Sequence, residues 1–336
     1  MGEVAVVYLS LVLAALVILA GAKFFTNGVE WLGTKLGLAR GAVGSILAAL
    51  GTALPETMIP VVAILLGGGG VGEEVGVGAI LGAPFMLATM GFVVIGGTTI
   101  LVNRERRAYV RPQPALARRD LGFFLGAYML AVTAAFLPQE YRIYVVALLL
   151  GGYACFVACA LTQGERCGTS DNLQPLAVAP RVLDPPLALV TGQVIVAFTM
   201  IVFGAKVFVE SIGTLSYQFG IAPFVFALLV APVATELPEL TNSIIWIKER
   251  KDTLAVGNVT GAMVFQSSVV PSIGIAFTSW HLTPAACLSA VLALVSALLA
   301  YRWVGRRRCL NGWMMVAMGL SFYIVYAALV TAGYVH

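Results

Sequence analysis

Charge, histidine and pairable cysteine are scarce in this sequence, and each scarcity removes a class of function. Charged residues make up 11% of the 336 residues and hydrophobic ones 60%, with mean hydropathy +0.95. Those values lie outside the range of soluble domains. The chain is read as an all-α integral membrane protein of the plasma (inner) membrane, with the lipid bilayer as its solvent. His281 and His336 are the only histidines, too few and too scattered for an imidazole metal cluster or an HExxH site. Cys155, Cys159, Cys167, Cys287 and Cys309 form an odd count without zinc spacing. Cys155 and Cys159, one turn apart in an apolar run, are read as small packing residues. The apolar runs hold no nucleophile with a base and no paired aspartyl site, so an intramembrane enzyme is not expected. No cofactor, nucleic-acid partner or protein partner is expected either.

What is present is a succession of apolar runs of spanning length, near 4–20, 38–67, 73–102, 121–137, 141–162, 187–212, 219–247, 255–280, 283–303 and 312–333. The first could pass for a signal peptide, with Ala20-Gly21-Ala22 resembling a cleavage site. It lacks a basic leader, carries Glu3, and ends in Gly21-Ala22-Lys23, which recurs as Gly204-Ala205-Lys206. It is therefore read as a membrane span, which makes ten. Of 20 lysines and arginines, all but Arg142 and Lys206 then fall in connections on one side. The positive-inside rule makes that side cytoplasmic and places both termini outside. The basic run from Arg104 to Arg119 is read as part of this orientation signal, and Lys23 and Lys206 as snorkelling residues at span ends.

One stretch does not suit a lipid-facing helix. Phe226 to Leu240, FALLVAPVATELPEL, sets Glu236 and Glu239 beside Pro232 and Pro238 in an otherwise apolar segment. A charged residue at the centre of a membrane helix costs roughly 2.5–3.5 kcal/mol on insertion scales, which makes an ionisable group there a functional hypothesis. Each proline lacks an N–H and its ring crowds the carbonyl four residues back, so the Leu228 and Ala234 carbonyls are expected to be freed. In lipid, such backbone is tolerated where it is buried in protein or lines a wet cavity. Carbonyl dipoles beside carboxylates describe a hard-cation site.

The stretch has a partner earlier in the chain. A shift of 183 residues lays Gly21-Ala22-Lys23 on Gly204-Ala205-Lys206, Phe25 on Phe208, Gly37 on Gly220, Ala48 on Ala231, and Thr52-Ala53-Leu54-Pro55-Glu56 on Thr235-Glu236-Leu237-Pro238-Glu239. Slightly farther on, Gly78 and Gly82 correspond to Gly257 and Gly261. With five spans in each half, the second copy enters the membrane from the opposite side, an inverted repeat with its shared site near the midplane. The expected division is 1–165 for the first five-helix repeat, 166–186 for a short cytoplasmic linker and 187–336 for the second repeat. Both G-x-x-x-G segments are expected to serve as packing seams between helices alongside any ligand role.

GTALPE at 51–56 and ATELPE at 234–239, followed by GAILGA at 78–83 and GNVTGA at 257–262, resemble the paired alpha repeats of the calcium/cation antiporter superfamily, the sodium/calcium exchangers. The resemblance implies that Glu56 and Glu239 are the calcium-binding glutamates and that Thr52 and Thr235 line the site. The serines that the family uses for flanking sodium sites are replaced by Ala53, Glu236, Ala83 and Ala262. The later asparagine or aspartate positions hold Leu87 and Gln266, while Asn258 remains opposite Ala79.

The third carboxylate of the site thus falls at Glu236. On a regular helix Thr235, Glu236 and Glu239 would share one face. Crowding and desolvation imply that one of the acids carries a proton when no cation is bound, which brings protons in as counter-ions. The expected ligand set is Glu56, Glu239, Thr52, Thr235 and Glu236, with carbonyls near Ala49 and Pro232, and with Gln266 and Asn258 in reach. Gln266, Ser267 and Ser268 stay divided between interhelical bonding and ion contact. The expected function is antiport of Ca2+ against Na+ or H+. Proton-coupled transport of another cation and a non-exchanging channel or binding protein are the alternatives.

Overall fold

The computed structural model describes residues 2–36, 42–102, 108–162 and 174–333, with side chains described from 4 to 36, 53 to 102, 108 to 160 and 174 to 333 apart from residue 331. It is helical almost throughout. The helices are α1 (Gly2–Lys35), α2 (Ala42–Leu66), α3 (Gly70–Met86), α4 (Phe92–Val102), α5 (Pro114–Thr133), α6 (Gln139–Thr162), α7 (Leu187–Phe219), α8 (Pro223–Thr235), α9 (Leu237–Lys248), α10 (Asp252–Gln266), α11 (Val269–Phe277), α12 (Pro284–Arg307) and α13 (Gly312–Thr331).

Several predicted spans are composite. A π-helical turn at Leu87–Gly91 joins α3 to α4 into one apolar rod, Gly70–Val102, and α10 with α11 makes another, Asp252–Phe277. Among the described residues eight helices are long and apolar enough to cross a membrane, and the bent pair α8–α9 makes a ninth. The described apolar part of α2, Ala53–Leu66, is shorter, and much of the span expected at 38–67 lies outside the described side chains. The lipid-facing side chains, such as Leu9, Leu13 and Leu16 on α1 or Ile143, Tyr144 and Leu148 on α6, are apolar and exposed. This is the surface a bilayer demands, because lipid offers no partner to a polar group.

Two helices run past the ends expected for them, α1 to Lys35 where residue 20 was expected and α7 to Phe219 where 212 was. Each of α1, with 34 residues, and α7, with 33, is about 50 Å long at 1.5 Å per residue. Lys23 and Lys206 therefore sit on exposed faces within these helices and not at their ends. The pair crosses where glycine permits it. A Cβ on Gly21 would meet Ile201 at 2.8 Å and the Ala197 carbonyl at 3.1 Å, and one on Gly204 would meet Ile18 at 2.9 Å and the Ala14 carbonyl at 3.2 Å. Every partner in one set is the 183-residue counterpart of a partner in the other.

The interior divides into two apolar clusters. One, around Ile18, Ile59, Phe208 and Ile212, joins α1, α2 and α7; the other, around Phe85, Phe92, Phe124, Tyr128 and Trp280, joins α3 to α6 and α10 to α13. Helices α3 and α8 contribute to both. They are held together by glycine: a Cβ on Gly78 would lie 2.4 Å from the Phe224 carbonyl, and one on Gly82 2.3 Å from that of Leu228. The first G-x-x-x-G is thus a seam in which backbone meets backbone. At Gly257 and Gly261 no described atom lies within 4 Å of the corresponding position.

Short polar devices tie the loops to this frame. Tyr109–Val110 and Leu310–Asn311 form a two-residue antiparallel ladder. At the end of the α1–α7 pair where α7 begins, Gln193 donates to the Phe24 carbonyl and to Asn27, while Asn27 and Gln193 accept the N–H groups of Ala177 and Val178. The connection before α7 is thereby fixed to both long helices.

Candidate functional site

The site forms where a helix fails. Proline at the second residue of α9 has no N–H to offer, a deficit that costs nothing in a first helical turn and would break the ladder of a continuous helix. The chain accordingly ends α8 at Thr235, turns at Glu236 (φ −87°, ψ −2°) and restarts at Leu237, with 48° between the two axes. The expectation of one bent helix with Thr235, Glu236 and Glu239 on a common face gives way to a break with Glu236 at its corner. In α2, by contrast, Pro55 and Pro60 are accommodated inside one helix.

Glu56 of α2, Glu236 at the corner and Glu239 in the first turn of α9 are all buried, and each offers a carboxylate oxygen within 4.8 Å of those of the other two. Three oxygens at most that far apart lie within about 2.8 Å of a common point, close to the roughly 2.3–2.6 Å of calcium–oxygen contacts, so a small adjustment lets a single calcium ion touch all three. The Oε2 atoms of Glu56, Glu236 and Glu239 make no hydrogen bond among the described residues, nor does Oε1 of Gln266. No lysine or arginine pairs with any of the three acids among the described residues. Burying one unpaired charge costs several kcal/mol or more, and three ionised together would be untenable. The cluster must therefore hold protons, a cation or both.

Its neighbours orient the acids. Gln266, the last residue of α10, donates from Nε2 to Glu236 Oε1 at 2.8 Å, and Thr235 Oγ1 lies 3.4 Å from the same oxygen and from the Ala231 carbonyl. Asn258 Nδ2 donates to the main-chain carbonyl of Glu239 at 2.8 Å and to Ser243 Oγ at 3.3 Å. The Pro232 carbonyl accepts the Glu236 N–H at 2.9 Å. The Pro232 carbonyl and the Asn258 amide nitrogen are thus each engaged within the protein. Ser267 and Ser268 turn back to the Val264 carbonyl, at 3.0 and 2.6 Å. Thr52 and Ala49 precede Glu56 in α2, and their side chains lie outside the described residues.

With this arrangement in view, kinship can be assessed. A profile of sodium/calcium exchanger proteins matches residues 6–162 and 189–334. The chain belongs to the sodium/calcium exchanger family. A putative antiporter, CaxA, of Alkalimonas amylolytica is 26% identical over 266 residues, 78% of each chain. Among solved structures the H+/Ca2+ exchanger CAX shares the fold at TM-score 0.70 and 15% identity, covering 98% of this chain and 86% of that one. The sodium-calcium exchanger NCX_Mj does so at 0.56 and 16%, covering 97% and 98%. Membership makes the chain a membrane cation antiporter. Within the exchanger family's frame, the paired LPE segments supply Glu56 and Glu239 to the cluster, and the departure at Glu236 enters the same cluster.

Some buried polar contacts carried no signal in the sequence. Thr260 of α10 donates to Asp120 Oδ2 at 2.9 Å, beside an ion pair from Arg119. Arg119 ends the basic run and Asp120 follows it, where charge reads as orientation.

Proposed function

We propose that the protein exchanges a divalent cation, most readily Ca2+, for H+ or Na+ by alternating access around Glu56, Glu236 and Glu239. The observation that carries this reading is the convergence of three buried carboxylates whose Oε2 atoms have no partner. Calcium takes 6–8 oxygens in a flexible shell, whereas magnesium gives up its water reluctantly, so an oxygen-rich buried cluster favours calcium. Beyond the acids, Thr235 and the Thr52 and Ala49 region of α2 would supply further oxygens. The architecture we infer is two inverted five-helix repeats, 1–165 and 187–336, around a linker at 166–186, with both termini outside. The reciprocal contacts of Gly21 and Gly204 support it, because an interface in which equivalent residues exchange partners is the mark of a two-fold relation.

The counter-ion reading favours protons. Ala53, Ala83 and Ala262 provide no hydroxyl for a flanking sodium site, and the π-helical turn at Leu87–Gly91 presents leucine where the later half presents Gln266. Glu236, in contrast, adds an acid that can exchange a proton inside the cation's own cage. The test is calcium flux in proteoliposomes: Glu56→Gln and Glu239→Gln should each abolish it while still inserting and purifying as folded protein. Flux at the parental rate in either folded variant would remove these residues from the site.

A further inference from the structure

We propose that α10 sets the geometry of the cluster through two side-chain amides, Asn258 and Gln266, acting as positioning residues for Glu239 and Glu236 and not as cation ligands. The inference rests on the reading of the three acids as the cation site. The two amides are eight residues apart on one helix, about 12 Å along its axis, and they grip the broken segment on either side of the corner. Gln266 Nε2 holds Glu236 Oε1 at 2.8 Å, which leaves Oε2 as the oxygen of that acid without a partner. Asn258 Nδ2 holds the Glu239 carbonyl at 2.8 Å and reaches Ser243, whose hydroxyl donates in turn to the Ala255 carbonyl at 3.2 Å.

The need for such a grip follows from the break. Glu236 lies in neither helix, and Glu239 lies in a first turn, so neither acid is set by an uninterrupted backbone ladder. Like charges at this separation push the side chains apart, and donors fixed on a third element oppose that push. In both amides the atom facing the broken segment is a nitrogen that cannot ligate a cation. A displacement of α10 would therefore move two of the three acids together, which makes cation affinity a property of the position of that helix.

The test substitutes the donor and keeps the oxygen. Asn258→Asp and Gln266→Glu have nearly the parental shape. As cation ligands they would hold calcium as well as the parent or better. As positioning residues they set oxygen against oxygen, and we expect KM for calcium and the calorimetric Kd to rise tenfold or more, with Vmax changing less than threefold. Asn258→Ala and Gln266→Met remove the donor without added charge, and they carry the test where an acidic variant does not elute as folded protein. A cycle identifies the route of action: the effect of Gln266→Met on Kd should largely vanish in a Glu236→Gln background, whereas a general loss of packing would persist there. Affinities within twofold of the parent for the donor-deleted variants, or an undiminished Gln266→Met effect in the Glu236→Gln background, would overturn the proposal. Loss of flux in Glu56→Gln and Glu239→Gln alongside parental Asn258 and Gln266 variants would reject the amide grip and leave the site standing. Parental flux in those glutamate variants would reject the site itself.

Discussion

In the proposed mechanism Glu236 is the residue on which the chemistry turns, because it adds a third acid to a cage that a divalent cation alone cannot neutralise. A proton and a cation would compete there for the same oxygens. Protonating Glu236 removes a negative charge that helps hold the cation, so proton entry on one face favours cation release on that face. Acidification on the cation-binding side should therefore weaken apparent calcium affinity in the parent, and much less in Glu236→Gln. This is read from uptake at fixed calcium across about pH 6 to 8, where buried carboxylates can titrate. Affinity indifferent to pH over that range in the parent would count against the third acid as the proton carrier. The glutamates themselves were legible in the sequence, since three carboxylates in apolar runs have no cheap structural reading. The contact between Gln266 and Glu236 was not, because no short-range periodicity links positions 30 residues apart. Asn258 was visible as a polar residue, but only the fold shows that its nitrogen is committed to the Glu239 carbonyl.

At the scale of elements, the two halves handle matching sequence differently. Pro55 is absorbed in α2, while Pro238 starts a new helix at α9. Gly78 and Gly82 bind α3 to α8 by backbone contact, while Gly257 and Gly261 have no described neighbour at that range. The period of apolar residues announced the rods but could not announce where they break, since proline is compatible with both a first turn and a strained interior. The glycine seams make a direct prediction for stability in detergent. Gly82→Ala forces a Cβ to within 2.3 Å of the Leu228 carbonyl and should cost about 1–3 kcal/mol, seen as a lower unfolding temperature. Gly261→Ala meets no described atom within 4 Å and should be neutral, or stabilising by up to about 1 kcal/mol through helix propensity. Equal effects at the two positions would contradict the seam.

For the whole molecule, the 183-residue correspondence is written into the long helices: Gly21 and Gly204 exchange equivalent partners across the α1–α7 crossing. Composition was enough for the membrane class, whereas the full length of α1 was hidden because Lys23, Asn27 and Glu30 interrupt the apolar signal of a span past residue 20. The inferred orientation predicts that, in a cysteine-free background, Glu140→Cys in the first turn of α6 reacts with a membrane-impermeant maleimide added to intact cells. Lys251→Cys between α9 and α10 should react only after the membrane is opened. The reverse pattern would invert the topology.

The most direct test of the central claim, cation exchange through the carboxylate cluster, is the uphill accumulation of radiolabelled calcium by the purified protein in sodium-free proteoliposomes under an imposed pH gradient, acid inside. The parent should concentrate calcium above the external level until the gradient collapses, and Glu239→Gln should take up none beyond protein-free vesicles. Calcium that only equilibrates in the parent, under both pH and sodium gradients, or accumulation that survives Glu239→Gln, would contradict the account.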